Sequence, residues 1–139
     1  MQSFAAMAVG IFDPSTMDFT YSNCGHNPEP YLIRAAESRP LALDCARNII
    51  LGAMEEITPL TAKLQLESGD LLFFATDGIT EATNAHGEEF ETKGLEEFLS
   101  GHRELSVNEM VKRLIDDVEI YSQNTVENDD RAVLAFRVR

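Results

Sequence analysis

The chain has 139 residues, with 24 acidic against 11 basic side chains and a formal net charge of −13 at pH 7. That length suits one compact domain, and at 44% hydrophobic and 25% charged the composition is that of a soluble globular protein, not of a disordered one. A field this negative repels phosphate backbones and anionic membrane surfaces, which argues against binding nucleic acid or membrane by charge and favours a bound cation.

Taken in chain order, the apolar opening Phe4–Phe12 has no Lys or Arg before it and stops at Asp13-Pro14, so it is expected to be a buried strand and not a signal peptide. A turn over Asp13-Pro14-Ser15-Thr16 and an alternating stretch Met17–Ser22 complete a β-hairpin. Asn23-Cys24-Gly25-His26-Asn27-Pro28 turns the chain into a third short strand, Pro30–Arg34. Residues 37–48, with Pro40, show no period, and 49–53 form an apolar patch ending at Gly52. Thr61–Leu66 alternates up to the Ser68-Gly69-Asp70 turn, and Leu71–Ala75 is apolar without alternation, the pattern of a strand covered on both faces.

Two helices follow. Thr92–Leu99 turns Leu95, Phe98 and Leu99 inward, and Val107–Gln123 repeats Val107, Met110, Val111, Leu114, Ile115, Val118 and Tyr121 at three and four residues along one face. Ser106 and Glu109 before and within the latter have capping-box spacing. Asn128-Asp129-Asp130 then leads into a last strand, Ala132–Val138. No apolar run reaches the ~20 residues of a membrane-spanning helix. Cys24 and Cys45 are expected as reduced thiols of a cytoplasmic protein, since two cysteines make no disulfide framework.

Asp77 falls at the exit of the buried strand, and Asp129 and Asp130 fall at the entrance of the last one. If these strands are antiparallel neighbours, exit and entrance share one edge with backbones ~5 Å apart, and the carboxylates can converge. Oxygen ligands of this kind suit Mg²⁺ or Mn²⁺, which take one to three carboxylates, keep several waters, and acidify a bound water into a nucleophile. The alternative is that each aspartate caps a turn, the commoner fate of Asp beside a residue such as Gly78. Other chemistries fail. Read as a calcium loop, Asp77–Glu88 puts Ile79 at the third position and Ala82 where Gly is required. His26, His86 and His102 lack zinc spacing, His26 reads as a turn histidine, and there is neither a Gly-rich phosphate loop nor a nucleophile elbow.

The ordered series Tyr21-Ser22-Asn23-Cys24-Gly25-His26-Asn27-Pro28, Leu51-Gly52, Ser68-Gly69-Asp70-Leu71-Leu72, Thr76-Asp77-Gly78-Ile79-Thr80-Glu81-Ala82 and Asp129-Asp130 resembles the bacterial PPM (PP2C-type) serine/threonine phosphatases of the sporulation and sigma-regulator group. The resemblance spans nearly the whole chain as a single truncated domain, 1–139. It implies an α+β fold, the PP2C-like α-β-β-α sandwich of mainly antiparallel sheets, here lacking the family's N-terminal strands and first helix. It also implies a binuclear Mn²⁺ or Mg²⁺ centre that activates water against phosphoserine or phosphothreonine. Asp77 and Asp129 fall on metal-binding positions, with Gly78 and Asp130 as secondary candidates.

The family's domain begins roughly 60 to 80 residues earlier, with an Asp-x-x-Gly-His-Gly turn that supplies further ligands, so only part of the site is expected here. Cys24, Arg131-Ala132 and Ala6 depart from the family's usual residues. The implied partner is a phosphorylated regulatory protein of the anti-sigma-factor-antagonist type. Weak or absent activity as a fragment, or a non-catalytic protein-binding module, is the alternative. A sheet edge left uncovered by such a truncation leads to an expected homodimer or strand-exchanged assembly.

Overall fold

The computed structural model describes residues 3–123, 125 and 130–139. In chain order its elements are β1 (Met7–Asp13), β2 (Asp18–Cys24), β3 (Tyr31–Ile33), β4 (Leu41–Ala42), β5 (Arg47–Asn48), β6 (Ala62–Gln65), β7 (Leu71–Ala75), α1 (Asp77–Thr80), α2 (Glu91–Gly101), α3 (Val107–Tyr121) and β8 (Val133–Arg137).

The expected hairpin forms in full register, from Met7 opposite Cys24 to Asp13 opposite Asp18, but its first strand starts at Met7 and not at Phe4, and it is exposed where a buried strand was expected, because β1 lies at the edge of its sheet with one face open. Its turn is held by the Asp13 carboxylate, which accepts from the Ser15 amide at 2.8 Å and the Ser15 hydroxyl at 2.6 Å. Gly10 is needed in β1 because the Phe19 ring lies across it: a Cβ there would stand 2.3 Å from Phe19 Cζ. On its other side β2 pairs antiparallel with β6 and, for two residues, parallel with β5. The period-free stretch 37–48 therefore holds two strands too short to leave a pattern in sequence. The apolar patch at 49–53 forms no strand, only a bridge from Leu51 to Ala5.

The second sheet runs β4-β3-β7-β8, all antiparallel. Its alternation explains the unbroken apolar run of β7. Leu71, Phe73 and Ala75 face α2 and α3 in one cluster with Leu95, Leu99, Met110, Leu114 and Val118, while Leu72 faces the first sheet in another with Phe19, Tyr21 and Leu66. Both faces of the strand are buried, so alternation has nothing to separate. Among the described residues the sandwich is thus sheet on sheet with one helix layer. Among the described residues no helix covers the outer face of the first sheet, where Met7, Val9 and Ile11 are exposed, Ile11 to 71%. Three of the four layers expected of an α-β-β-α sandwich are present.

The long helix begins at the predicted residue. The Ser106 hydroxyl accepts from the Glu109 amide while the Glu109 carboxylate accepts from the Ser106 amide and hydroxyl, and these bonds hold the Glu109 carboxyl below its ordinary pKa. Its apolar stripe lies on β7 and β8.

One end of the β7/β8 pair is clamped by Asp70, 1% exposed, whose carboxylate accepts from Arg34 Nη1 at 2.7 Å, the Glu67 amide at 2.9 Å and the Ala35 amide at 3.0 Å. Replacing it leaves two amides without acceptors and Arg34 without its counter-charge. Asp70→Ala is expected to cost about 2–4 kcal/mol in urea-denaturation stability, whereas Asp116→Ala, which loses only an exposed i,i+4 pair with Lys112, stays within about 0.5 kcal/mol.

Candidate metal edge and the adjoining cleft

The other end of the pair is open. The ladder's last rung sets Ala75 opposite Val133, and beyond it the two backbones remain joined by the Thr76 amide, which donates to the Ala132 carbonyl at 3.0 Å. Thr76 is the N-cap residue of α1, yet its hydroxyl does not cap the helix. It donates to the Asp130 carbonyl at 3.1 Å and accepts from the Ala132 amide at 2.9 Å, so it binds the facing loop instead.

The single turn of α1 is anchored by Ile79, fully buried in the helix-side core, which leaves Asp77 exposed at the edge. Gly78 is buried between the two segments. A Cβ on it would stand 2.4 Å from the Asp130 carbonyl oxygen and 3.4 Å from Arg131 Cγ, so only glycine lets the backbones approach this closely. The Gly78 carbonyl accepts from Arg131 Nε at 3.2 Å, and Arg131 Nη2 donates to the Ser122 hydroxyl at 2.9 Å.

The structure therefore brings Asp77, Gly78 and Asp130 to one edge, with Asp77 and Asp130 both exposed. Asp129 lies outside the described residues. Among the described residues no group of three or more His, Cys, Asp or Glu converges as a metal cluster. Among the described residues, the donors at the edge are carboxylate oxygens open to water, with no imidazole or thiolate. That set fits a hard divalent cation that keeps part of its hydration shell, and it does not fit zinc or copper. With a guanidinium on its carbonyl, Gly78 contributes clearance at this edge.

A second feature adjoins the edge. The Gly25–Pro28 turn is organised by the buried Asn23, whose Oδ1 accepts from the His26 amide at 2.8 Å and whose Nδ2 donates to the His26 carbonyl at 2.9 Å and to Glu29 Oε2 at 2.6 Å. His26 Nδ1 donates to the Pro28 carbonyl at 3.0 Å, as a turn histidine does. Between this turn and α2 lies an open cleft of about 480 Å³ lined by Asn23, His26, Glu29, Arg47, Thr92 and Glu96. Arg47 pairs with Glu29 at 2.5 Å, and the buried Tyr31 donates to Glu96 at 3.0 Å, with burial pushing the Tyr31 phenol well above its ordinary pKa.

A neighbouring depression of about 440 Å³ is lined by Asn27 on one side and by Thr80 and Glu81 on the other, so the turn flanks α1. Sequence reasoning missed this cleft. Its walls come from residues 23–48 and 92–96, and no local spacing announces that they meet. Both cysteines are free thiols, Cys24 buried and Cys45 exposed.

Comparison with known proteins identifies the family and the fold. The family model of Stage II sporulation protein E (SpoIIE) matches residues 1–139. The phosphoserine phosphatase RsbU of Bacillus subtilis (strain 168) is 26% identical over 134 residues, which is 96% of this chain and 39% of RsbU. Among solved structures, the SiaA-PP2C domain of Pseudomonas aeruginosa superimposes with a TM-score of 0.85 at 16% identity over 100% of this chain and 54% of that one. The manganese-presoaked phosphatase domain of SpoIIE from Bacillus subtilis does so with a TM-score of 0.72 at 20% identity, over 96% and 56%. The chain thus spans about two fifths of RsbU and little more than half of the solved domains, and its fold is that of the bacterial PP2C phosphatase domains. With the match running from its first residue to its last, this chain belongs to the SpoIIE family.

Proposed function

We propose that this chain forms part of a metal-dependent serine/threonine phosphatase, acting on phosphoserine or phosphothreonine of a regulatory protein of the anti-sigma-factor-antagonist type in the cytoplasm. The observation that supports it most directly is the shared edge at the exit of β7 and the entrance of β8, where Gly78 brings Asp77 and the Asp130 loop together. Asp77 and Asp129 would hold Mn²⁺ or Mg²⁺, with Asp130 beside them. When bound, such a cation supplies an acidified water and neutralises charge on a phosphoryl group.

The chain's own residues do the rest. Thr76 fixes the facing loop, Ile79 seats α1 in the core, and the exposed carboxylates keep the edge wet. A net charge of −13 would repel a phosphorylated substrate, so offsetting it locally is part of what the site requires. The chain spans little more than half of the solved domains it matches, so further donors from a longer polypeptide are part of this proposal.

Manganese titration joined to a phosphopeptide assay tests the reading. The expectation is weak Mn²⁺ binding by residues 1–139, full turnover only when the chain is extended to the length of the domains it matches, and a loss of about 10²-fold or more in turnover for Asp77→Asn in the extended protein. Mn²⁺ binding in neither form would sink the phosphatase reading. Binding of a phosphorylated partner without turnover in the extended protein would favour the non-catalytic module.

Gly78→Ala forces a methyl group into the Asp130 carbonyl. It is expected to lower stability by about 1–3 kcal/mol and to weaken Mn²⁺ binding together with it, as read by thermal melts with and without the metal. Finally, among the described residues β1 pairs with β2 alone, so it is an edge strand of the first sheet, and it exposes Met7, Val9 and Ile11. We propose that residues 1–139 dimerise through it, giving twice the chain mass in light scattering at high concentration; a monomeric mass there counts against it.

A further inference from the structure

Arg131 follows the paired aspartates and reaches two other elements at once. Its Nε donates to the Gly78 carbonyl in α1, and its Nη2 donates to the hydroxyl of Ser122, the residue that ends α3. Ser122 is itself buried, and its hydroxyl donates onward to the Val118 carbonyl at 2.9 Å. The loop carrying Asp130 is thereby tied on one side to the turn that carries Asp77 and on the other to the last turn of the longest helix. Thr76 makes the third tie, through the Asp130 carbonyl and the Ala132 amide. A planar guanidinium spans two acceptors in fixed directions, which a lysine ammonium on its flexible stem does not.

We propose that Arg131 is a positioning residue for the cation edge: the fork sets the separation of Asp77 from the Asp130 loop, and cation affinity depends on that geometry more than on its charge. This rests on the proposed reading of the edge as a metal site. Charge and geometry pull in opposite directions here, which makes the two separable. A guanidinium near a cation site repels the cation, so if charge were its main effect, removing it would tighten binding and lysine would act as arginine does. If the fork matters, both replacements weaken binding.

The test uses the wild-type protein, Arg131→Lys and Arg131→Met, with two readouts. Calorimetric titration with Mn²⁺ alone measures affinity, and amide hydrogen exchange of segments 76–82 and 130–133 without metal measures how firmly the two backbones are held. Both variants are expected to lose about 10-fold or more in Mn²⁺ affinity, in the range found for residues that orient metal ligands, and to exchange faster in both segments while melting as cooperatively as wild type. Wild-type affinity in Arg131→Lys, or tighter binding in Arg131→Met, overturns the proposal. Should neither residues 1–139 nor the extended protein take up Mn²⁺, the reading of the edge as a metal site fails on its own. Arg131 is then judged by exchange alone: unchanged protection in Arg131→Met overturns its positioning role, and lost protection upholds it.

Discussion

Antiparallel pairing of β7 with β8 imposes the constraint from which the rest of this structure follows. Because the strands run in opposite directions, leaving one and entering the other happen at the same place, and residues more than fifty positions apart become neighbours. The two ends of this pair are then treated differently. At one end the Asp70 carboxylate is buried, paired with Arg34 and bonded to two amides. At the other, Asp77 and Asp130 are left in water. The same side-chain chemistry serves as a structural clamp where it is buried, and as a potential ligand where it is exposed.

What holds the open end together is mostly backbone and hydroxyl. Thr76 gives up the usual side-chain cap of its helix to bond across the gap, and Gly78 removes the one carbon atom that would keep the segments apart. These choices cost local helix stability, since an uncapped single turn is marginal by itself. The burial of Ile79 in the helix-side core offsets that cost. The site therefore depends on the same packing of α2 and α3 against β7 that stabilises the whole second sheet.

Most of this architecture was legible in the sequence because it is written in local periodicities. The apolar run Leu71–Ala75 marked a strand buried on both faces, and the structure gives it those bounds. The Ser106–Glu109 spacing marked the start of α3. Other parts were illegible for physical reasons. Strands of two residues, β4 and β5, are too short to show alternation, and α1 has a single turn whose pattern no window resolves. The edge itself could be placed, because turn residues beside strand ends are visible in sequence. The cleft could not, because its walls meet only through tertiary packing of the Gly25–Pro28 turn against α2.

Charge links the site to the fold. With 24 acidic side chains against 11 basic ones, the folded chain works against its own repulsion, and an edge with exposed carboxylates on facing backbones is one place where that repulsion concentrates. Any cation held there favours the folded state by mass action, by about 2.7 kcal/mol at a hundredfold excess over its dissociation constant. Asp70 cannot respond in this way, since its carboxylate is already paired with Arg34 and enclosed. The pair of strands is thus held at one end by donors around a buried carboxylate and at the other by Thr76, Gly78 and Arg131, where a bound ion would add to the hold and to the rigidity of α1.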